Sequence, residues 1–253
     1  MALNLSQQRK ENDIMRTKET TVYKFDELSD SAQEKAREWY RRGQFNDSSW
    51  SEYTIEEAVR EGELLGISFK ERRIPLMNGK TRGEACIWWS GFCSQGDGAC
   101  FEGTWNASDV KADKVADGWG DDPATTEIKR IASVFAEIAK KFPCSSFTVV
   151  HRGHYSHENC TGFSFDSGAD YCDPDALVRY RTPDDDPEDP DSMPRDRMAE
   201  DFPEDLLEET AKDFMRWIYR QLEKEYSYQT SDEAVDESII ANEYEFNKNG
   251  GIE

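Results

Sequence analysis

The chain has 253 residues, enough to bury a substantial core in one large domain or two small ones. It carries 53 Asp and Glu residues against 31 Lys and Arg, and the resulting net charge of −22 opposes binding to nucleic acid and anionic lipid. The most basic window, residues 70–82, is interpreted as a strand edge with its turn, so we expect no direct nucleic-acid partner and no membrane partner.

Residues 1–20 are polar and aperiodic, and we interpret them as a flexible tail. They lack the apolar region of a secretory signal, and no apolar run approaches the roughly 18 residues that span a bilayer. We therefore expect a cytoplasmic protein with reduced thiols. Among its cysteines, Cys86, Cys93 and Cys100 are predicted to be small core residues.

Two helices are predicted after a short strand, TVYKF. The first contains Ser31 and Glu34 at capping-box spacing and is expected to stop at Gly43. The second covers roughly residues 52–65, where apolar residues gather on one side, and ends at the glycine that follows.

In the segments that follow, alternating apolar and polar residues predict five strands in total, three before one long helix and two after it. The helix covers residues 123–142, with Asp122 as its N-cap and Pro123 at its first position. The strands before the helix should form a meander, and those after it a hairpin. Their sequences are ISFKERRI, EACIWWSGF, ACFEGTW, SSFTVVH and TGFSFD.

The composition changes abruptly at residues 183–209, which contain 13 acidic residues and two arginines. Prolines in its first part disfavour regular structure, and charge repulsion should keep that part extended. In the amphipathic helix that follows, Trp217, Tyr219 and Tyr226 are expected to dock on the sheet, with a role as partner anchors as the alternative. A last helix is predicted from Ser231 onward.

Together these elements predict one α+β domain. It should contain a mostly antiparallel sheet of about five strands, including two hairpins, with four or five helices packed largely on one face. The predicted organisation is a flexible tail over 1–20, an α+β core over 21–182, an acidic disordered insert over 183–205, and C-terminal helices docked on the core over 206–253.

The glycine-rich stretch IWWSGFCSQGDGACFEGTW invites comparison with phosphate-binding loops. Gly96, Gly98 and Gly103 match neither phosphate-loop spacing, and a strand rather than a helix is expected to follow. Asp97 followed by Gly98 is instead a strong signal for a tight hairpin turn, because both residues tolerate positive φ. The stretch is therefore interpreted as a core hairpin, with a contact surface at its tip as the alternative.

All three histidines occur in the segment HRGHYSHENC, as His151, His154 and His157, with Cys160 after them. Imidazole and thiolate are good zinc ligands, so a zinc-binding module or metal-dependent enzyme is one hypothesis. The alternative is a hairpin tip whose histidines form hydrogen bonds, with a pH-sensitive contact as a further option. No hydrolase or protease motif occurs, so we predict neither catalytic activity nor a cofactor.

Three segments, YKFDELSDSAQEKAREWYRRG, WSGFCSQGDGACFEG and RWIYRQLEKEYSYQTSDEAVDESIIANEYEF, together resemble a family of phage and prophage proteins. Members of that family are labelled hypothetical or antitoxin of a toxin–antitoxin system. The resemblance covers residues 23–246 apart from the acidic insert, and it implies a soluble phage-encoded factor that acts inside a bacterium.

The leading hypothesis is an acidic phage-type binding protein that inhibits a basic bacterial protein, such as a nuclease, toxin or defence complex. Carboxylates spaced along an extended segment can occupy a groove built for phosphates and speed encounter with a basic partner. The alternatives are the zinc-centred module and a structural or regulatory phage protein. The predicted partner-binding residues are Asp184, Asp185, Asp186, Glu188, Asp189 and Asp191.

Overall fold

The computed structural model has the α+β fold that the sequence predicts. It describes residues 19–45, 49–77, 79–173, 177–181 and 194–252. The α-helices in these ranges are α1 (Asp30–Gln44), α2 (Glu52–Leu64), α3 (Pro123–Lys141), α4 (Pro194–Glu200), α5 (Glu204–Gln229) and α6 (Asp232–Ala241). The strands are β1 (Ile67–Phe69), β2 (Glu71–Pro75), β3 (Thr81–Ala85), β4 (Ile87–Trp89), β5 (Ala99–Phe101), β6 (Gly103–Asn106), β7 (Ser146–His151) and β8 (Thr161–Asp166).

The chain divides into two compact units. One contains the described residues up to 45 together with those from 230 onward, and the other contains the described residues from 49 to 229. The boundaries between these units fall near residues 46 and 229, whereas the sequence analysis placed boundaries after residues 20, 182 and 205. Within the described ranges, no helix has both the length and the apolar character needed to cross a bilayer.

The smaller unit pairs the two ends of the chain around α1 and α6. A backbone bridge joins Tyr23 to Phe246, and Phe246 is fully buried. Helix α1 differs from its prediction: it begins after Ser29, whose side chain makes no capping hydrogen bond, and it runs through Gly43. Helix α6 begins after Ser231, whose hydroxyl accepts a hydrogen bond from the Ala234 N–H at 3.3 Å.

In the larger unit, the predicted meander is replaced by a three-way strand junction. Each of three extended segments changes partner at a single residue, Lys70, Cys86 or Glu102, so that β1 pairs with β6, β2 with β3 and β4 with β5. The three backbones close a ring of hydrogen bonds: Lys70 N–H donates to Glu102 O (2.9 Å), Cys86 N–H to Lys70 O (2.7 Å), and Glu102 N–H to Cys86 O (2.9 Å). The ring satisfies the backbone groups where the ladders switch.

A four-stranded antiparallel sheet, ordered β1-β6-β7-β8, carries the main core of this unit. Trp105 of β6 is fully buried between Phe135 and Phe147, with ring centroids 5.4 and 5.5 Å away, and its Nε1–H donates to the Leu65 carbonyl at 2.8 Å. Burying so large an apolar surface is the main driving force for this packing. The predicted hairpin of β7 and β8 is confirmed.

Helix α3 matches its prediction closely. The carboxylate of Asp122 accepts a hydrogen bond from the Thr125 N–H at 2.8 Å, which satisfies a donor that the helix cannot pair internally. That bond is the first cause of the lowered pKa of Asp122. The apolar stripe of the helix is buried, as its periodicity requires.

The predicted acidic disordered insert, 183–205, is wrong in its second part. Residues 194–200 form α4, and α5 already begins at Glu204. Met198 and Phe202 are buried in the core of the larger unit and hold this segment in place. The prediction failed because it relied on the high proportion of acidic residues, in which two apolar side chains carry little weight. Residues 182–193 lie outside the described residues.

Candidate partner-binding groove

A groove of about 410 Å³ lies between helix α2 and the hairpin of β2 and β3. Its volume falls in the range that small ligands and single side chains of a protein partner fill. All of its lining residues belong to the larger unit. They are Ser51, Glu52, Ile55, Glu56, Val59, Glu63, Phe69, Glu71, Arg72, Arg82, Gly83, Glu84, Ala85, Ile87 and Trp89.

The floor of the groove is apolar. Ile55 and Val59 are four residues apart on α2 and therefore project from the same face of the helix. Phe69 approaches the helix closely at Gly62, where an added Cβ would stand 2.5 Å from the phenyl ring. Trp89 of β4 adds an indole to the floor. These side chains offer an apolar surface to whatever enters.

The rim of the groove is acidic, with five glutamates and two arginines among its lining residues. Both arginines are paired: one with Glu52 at 3.6 Å and the other with Glu84 at 3.2 Å. Among the ion pairs of the described residues, none includes Glu56, Glu63 or Glu71. Three exposed carboxylates therefore give the groove an excess of negative charge.

Glu71 reaches its position because Gly83 stands beside it on the neighbouring strand. The hairpin pairs Arg73 with Gly83, and a Cβ at position 83 would stand 2.8 Å from a carboxylate oxygen of Glu71. A glycine at this point lets the carboxylate lie across the hairpin surface. Any larger side chain there would displace the flexible end of Glu71.

Trp89 also joins a cluster of aromatic rings that holds one end of the groove. Its ring lies 5.2 Å from Trp50 and 5.8 Å from Phe92, and Phe92 lies 5.4 Å from Tyr219 and 5.2 Å from Tyr226. Tyr219 and Tyr226 of helix α5 thus contact the loop after β4 rather than a strand. Offset and edge-on ring contacts of this kind fix the orientation of the Trp89 indole. Trp217, also predicted to dock on the sheet, instead stacks on Trp119 and donates a hydrogen bond to the Ala124 carbonyl at 3.0 Å.

The glycine-rich stretch forms the predicted hairpin but not the predicted turn. Strands β4 and β5 pair, with residues 90–98 between them, and Gly98 does not adopt positive φ. Asp97 shapes the loop through its carboxylate, which accepts hydrogen bonds from the N–H groups of Cys93 (2.9 Å) and Ser94 (2.6 Å). Those two bonds lower the pKa of Asp97. The prediction of a tight turn at Asp97 and Gly98 was therefore wrong. The glycine serves a different purpose here, because a Cβ at position 98 would stand 3.0 Å from the ring of His157.

The histidine segment connects β7 to β8, and its members make separate contacts. The ring of His151 stacks on Trp88 with centroids 5.2 Å apart, and Nδ1 of His157 accepts a hydrogen bond from the Asn159 N–H at 3.1 Å. In the described parts of the chain, no group of three or more His, Cys, Asp or Glu side chains is arranged to hold a metal ion. The residues proposed as zinc ligands are His151, His154, His157 and Cys160.

Two of the three predicted core cysteines are buried. Cys86 lies at the three-way strand junction and Cys100 in β5, and burial raises the pKa of Cys100 to about 12. Cys93 is exposed in the loop that Asp97 shapes, so its prediction as a core residue is wrong. Cysteine is often buried as a small hydrophobic residue, but β4 ends at Trp89 and the chain at Cys93 has already left the core.

Sequence reasoning did not find the groove. The predicted partner-binding residues, Asp184 to Asp191, lie within 182–193 and so outside the described residues. The available signal was local: Glu56 and Glu63 adjoin the apolar face of α2, and Glu71 lies inside the basic window that was interpreted as a strand edge. Neither pattern reveals that the two segments face each other.

The fold and the groove define an α+β protein with an acidic, apolar-floored surface site. Residues 50–232, more than half of the chain, match the family described as a domain of unknown function, DUF8835, and the chain belongs to that family. The matched range includes every residue of the groove. No curated protein and no solved structure matches the chain.

Proposed function

We propose that this protein binds a basic bacterial protein in the bacterial cytoplasm and inhibits it, as a phage-type antagonist of a nuclease, toxin or other nucleic-acid-handling defence factor. The observation that supports the proposal is the groove, in which three carboxylates without described ion pairs surround an apolar floor. The net charge of −22 acts in the same direction at long range, because it steers a basic partner toward the surface.

Lysine and arginine side chains match both parts of the groove. Each has an apolar stem and a cationic head, so the stem can pack on Ile55, Val59 and Phe69 while the head reaches Glu56 or Glu63. Trp89 adds an aromatic surface on which a guanidinium can stack. Proteins that hold phosphates carry such cations on their binding surfaces, and occupying those cations blocks the nucleic acid.

The acidic segment is proposed as a second point of contact. Six carboxylates occur at close intervals among four prolines, at positions 183, 187, 190 and 194. They belong to Asp184, Asp185, Asp186, Glu188, Asp189 and Asp191. Groove and segment make different contributions: the groove selects a side chain that combines apolar and cationic parts, whereas the segment adds charge alone.

Binding of a fluorescein-labelled peptide of alternating arginine and leucine, followed by fluorescence polarisation, tests the proposal. A matched peptide of glutamate and leucine serves as the control. We expect the basic peptide to bind and the acidic one not to bind. Equal affinity for the two peptides, or binding of neither, would overturn the proposal.

Two variant sets locate the contact. Neutralising the six segment residues to Asn and Gln should weaken binding modestly, whereas Val59→Lys should weaken it more, because it fills the apolar floor with a cation that repels the basic peptide. Phage plating supplies the biological test: deletion of the gene should reduce plating on hosts that carry the targeted defence system and leave plating on other hosts unchanged. Equal plating on both hosts would instead support a structural or regulatory phage protein.

A further inference from the structure

Two cysteines outside the groove approach each other at the base of the hairpin of β7 and β8. Cys144 lies in the connection between α3 and β7, and Cys172 lies in the loop after β8. Because Ser146 pairs with Asp166 in the antiparallel ladder, the segment that precedes β7 and the segment that follows β8 leave the sheet side by side. The topology therefore brings together two thiols that are distant in sequence.

Gly168 allows the close approach. Its φ is +71°, and a Cβ at this position would stand 2.2 Å from the Cys144 carbonyl oxygen and 2.6 Å from the Cys144 Cβ. The N–H of Cys172 donates to the Gly168 carbonyl at 3.0 Å, which closes a helical turn and places Cys172 above Gly168. Both cysteines therefore adjoin Gly168, and the Cys144 side chain is close enough to Cys172 to raise the pKa of that thiol.

The two thiols differ in their access to solvent. Cys144 is exposed, whereas Cys172 is 4% exposed. Burial, and after it the hydrogen bond with the Cys144 thiol, raises the pKa of Cys172 to about 11. A reagent in solution therefore reaches Cys144 first, since the thiolate is the reactive form and Cys172 holds its proton.

We propose that Cys144 and Cys172 are a site of oxidative modification, at which a low-molecular-weight disulfide such as oxidised glutathione converts the pair to an intramolecular disulfide. The Cys144 thiolate attacks one sulfur of the small disulfide, which forms a mixed disulfide and releases one glutathione thiolate. Cys172 then loses its proton to solvent, attacks the Cys144 sulfur and releases the second glutathione. Two protein thiols are oxidised and one small disulfide is reduced to two thiols.

Disulfide formation is favoured because Cys172 lies next to Cys144. This proximity compensates for the small fraction of Cys172 that is present as thiolate. Because the second step is intramolecular, the attacking sulfur is present at a high effective concentration. The new bond would tie the connection before β7 to the loop after β8. This site is independent of the groove and of the function proposed for it.

Intact-mass analysis of the full chain, incubated with oxidised glutathione and quenched with N-ethylmaleimide, tests the proposal. We expect a product that carries two fewer N-ethylmaleimide groups than the reduced protein treated in the same way, with Cys144 linked to Cys172 after digestion. Chymotrypsin must follow trypsin, since cleavage after Phe163 and Phe165 separates Cys160 from Cys172. A stable glutathione adduct on Cys144 with Cys172 still alkylated would overturn the proposal.

Two variants complete the experiment. Cys172→Ser should accumulate the glutathione adduct on Cys144, because the resolving thiol is absent. Cys93→Ser, which removes another exposed thiol, should form the same disulfide as the wild type. If Cys93→Ser abolished the deficit of two N-ethylmaleimide groups, the oxidised pair would include Cys93 and the assignment would be wrong.

Discussion

Replacing Glu56, Glu63 and Glu71 by glutamine should weaken binding of the arginine–leucine peptide by between about 3-fold and about 150-fold. The three side chains are exposed on the groove rim and lie outside the ion pairs of the described chain, so the change breaks no internal pair. An exposed ion pair contributes about 0.2–1 kcal/mol, and three pairs with the peptide therefore contribute about 0.6–3 kcal/mol.

Fluorescence polarisation at two salt concentrations measures this effect. The Debye length is about 10 Å at 0.1 M salt and about 3 Å at 1 M, so the difference between wild type and triple variant should nearly vanish at the higher concentration. A difference that persisted in high salt would indicate a change in groove shape rather than a loss of charge.

The matched control removes the same charge elsewhere. Glu137, Glu200 and Glu223 are exposed in the larger unit and do not line the groove. Their replacement by glutamine should change the affinity much less, because long-range steering alone is reduced. Equal weakening by the two triple variants would refute a localised groove and leave the net charge as the cause.

Three further outcomes concern stability. Trp105→Phe should cost about 2–4 kcal/mol in chemical denaturation, because it leaves a core void and removes the indole hydrogen bond. Glu61 is 2% exposed, and its carboxylate accepts a hydrogen bond from the Ala116 N–H at 2.8 Å. Glu61→Ala should therefore lower the free energy of unfolding by about 1–3 kcal/mol, and Glu61→Gln, which keeps an acceptor, should lower it less. Equal losses of stability in the two variants would contradict this role. Burial raises the pKa of Asp213, but hydrogen bonds from two arginines outweigh it, and the net shift is downward. Its stabilisation is therefore complete above the unfolded value of about 3.9 and is lost as pH falls through the lower folded value, so Asp213→Asn should flatten the acid limb of the stability curve.

Local patterns in the sequence were enough for the elements whose signals are contained in a few neighbouring residues. Helix α3 followed from its apolar spacing and from Asp122 beside Pro123, and the hairpin of β7 and β8 followed from alternation. The predicted start of α1 was less accurate. Ser31 is a residue type that often caps helices, but the helix begins earlier, after Ser29. Such errors arise where two residues of similar chemistry compete for one position.

The sequence alone determined the α+β class, the long amphipathic helices and the strong negative charge, because composition and periodicity are properties of short windows. Tertiary structure decided which windows meet. It closed the three-way strand junction at Lys70, Cys86 and Glu102, faced Glu71 toward α2, and brought Cys144 to Cys172. These contacts join segments far apart in the chain, and their free energy depends on pairing and burial that no local pattern contains.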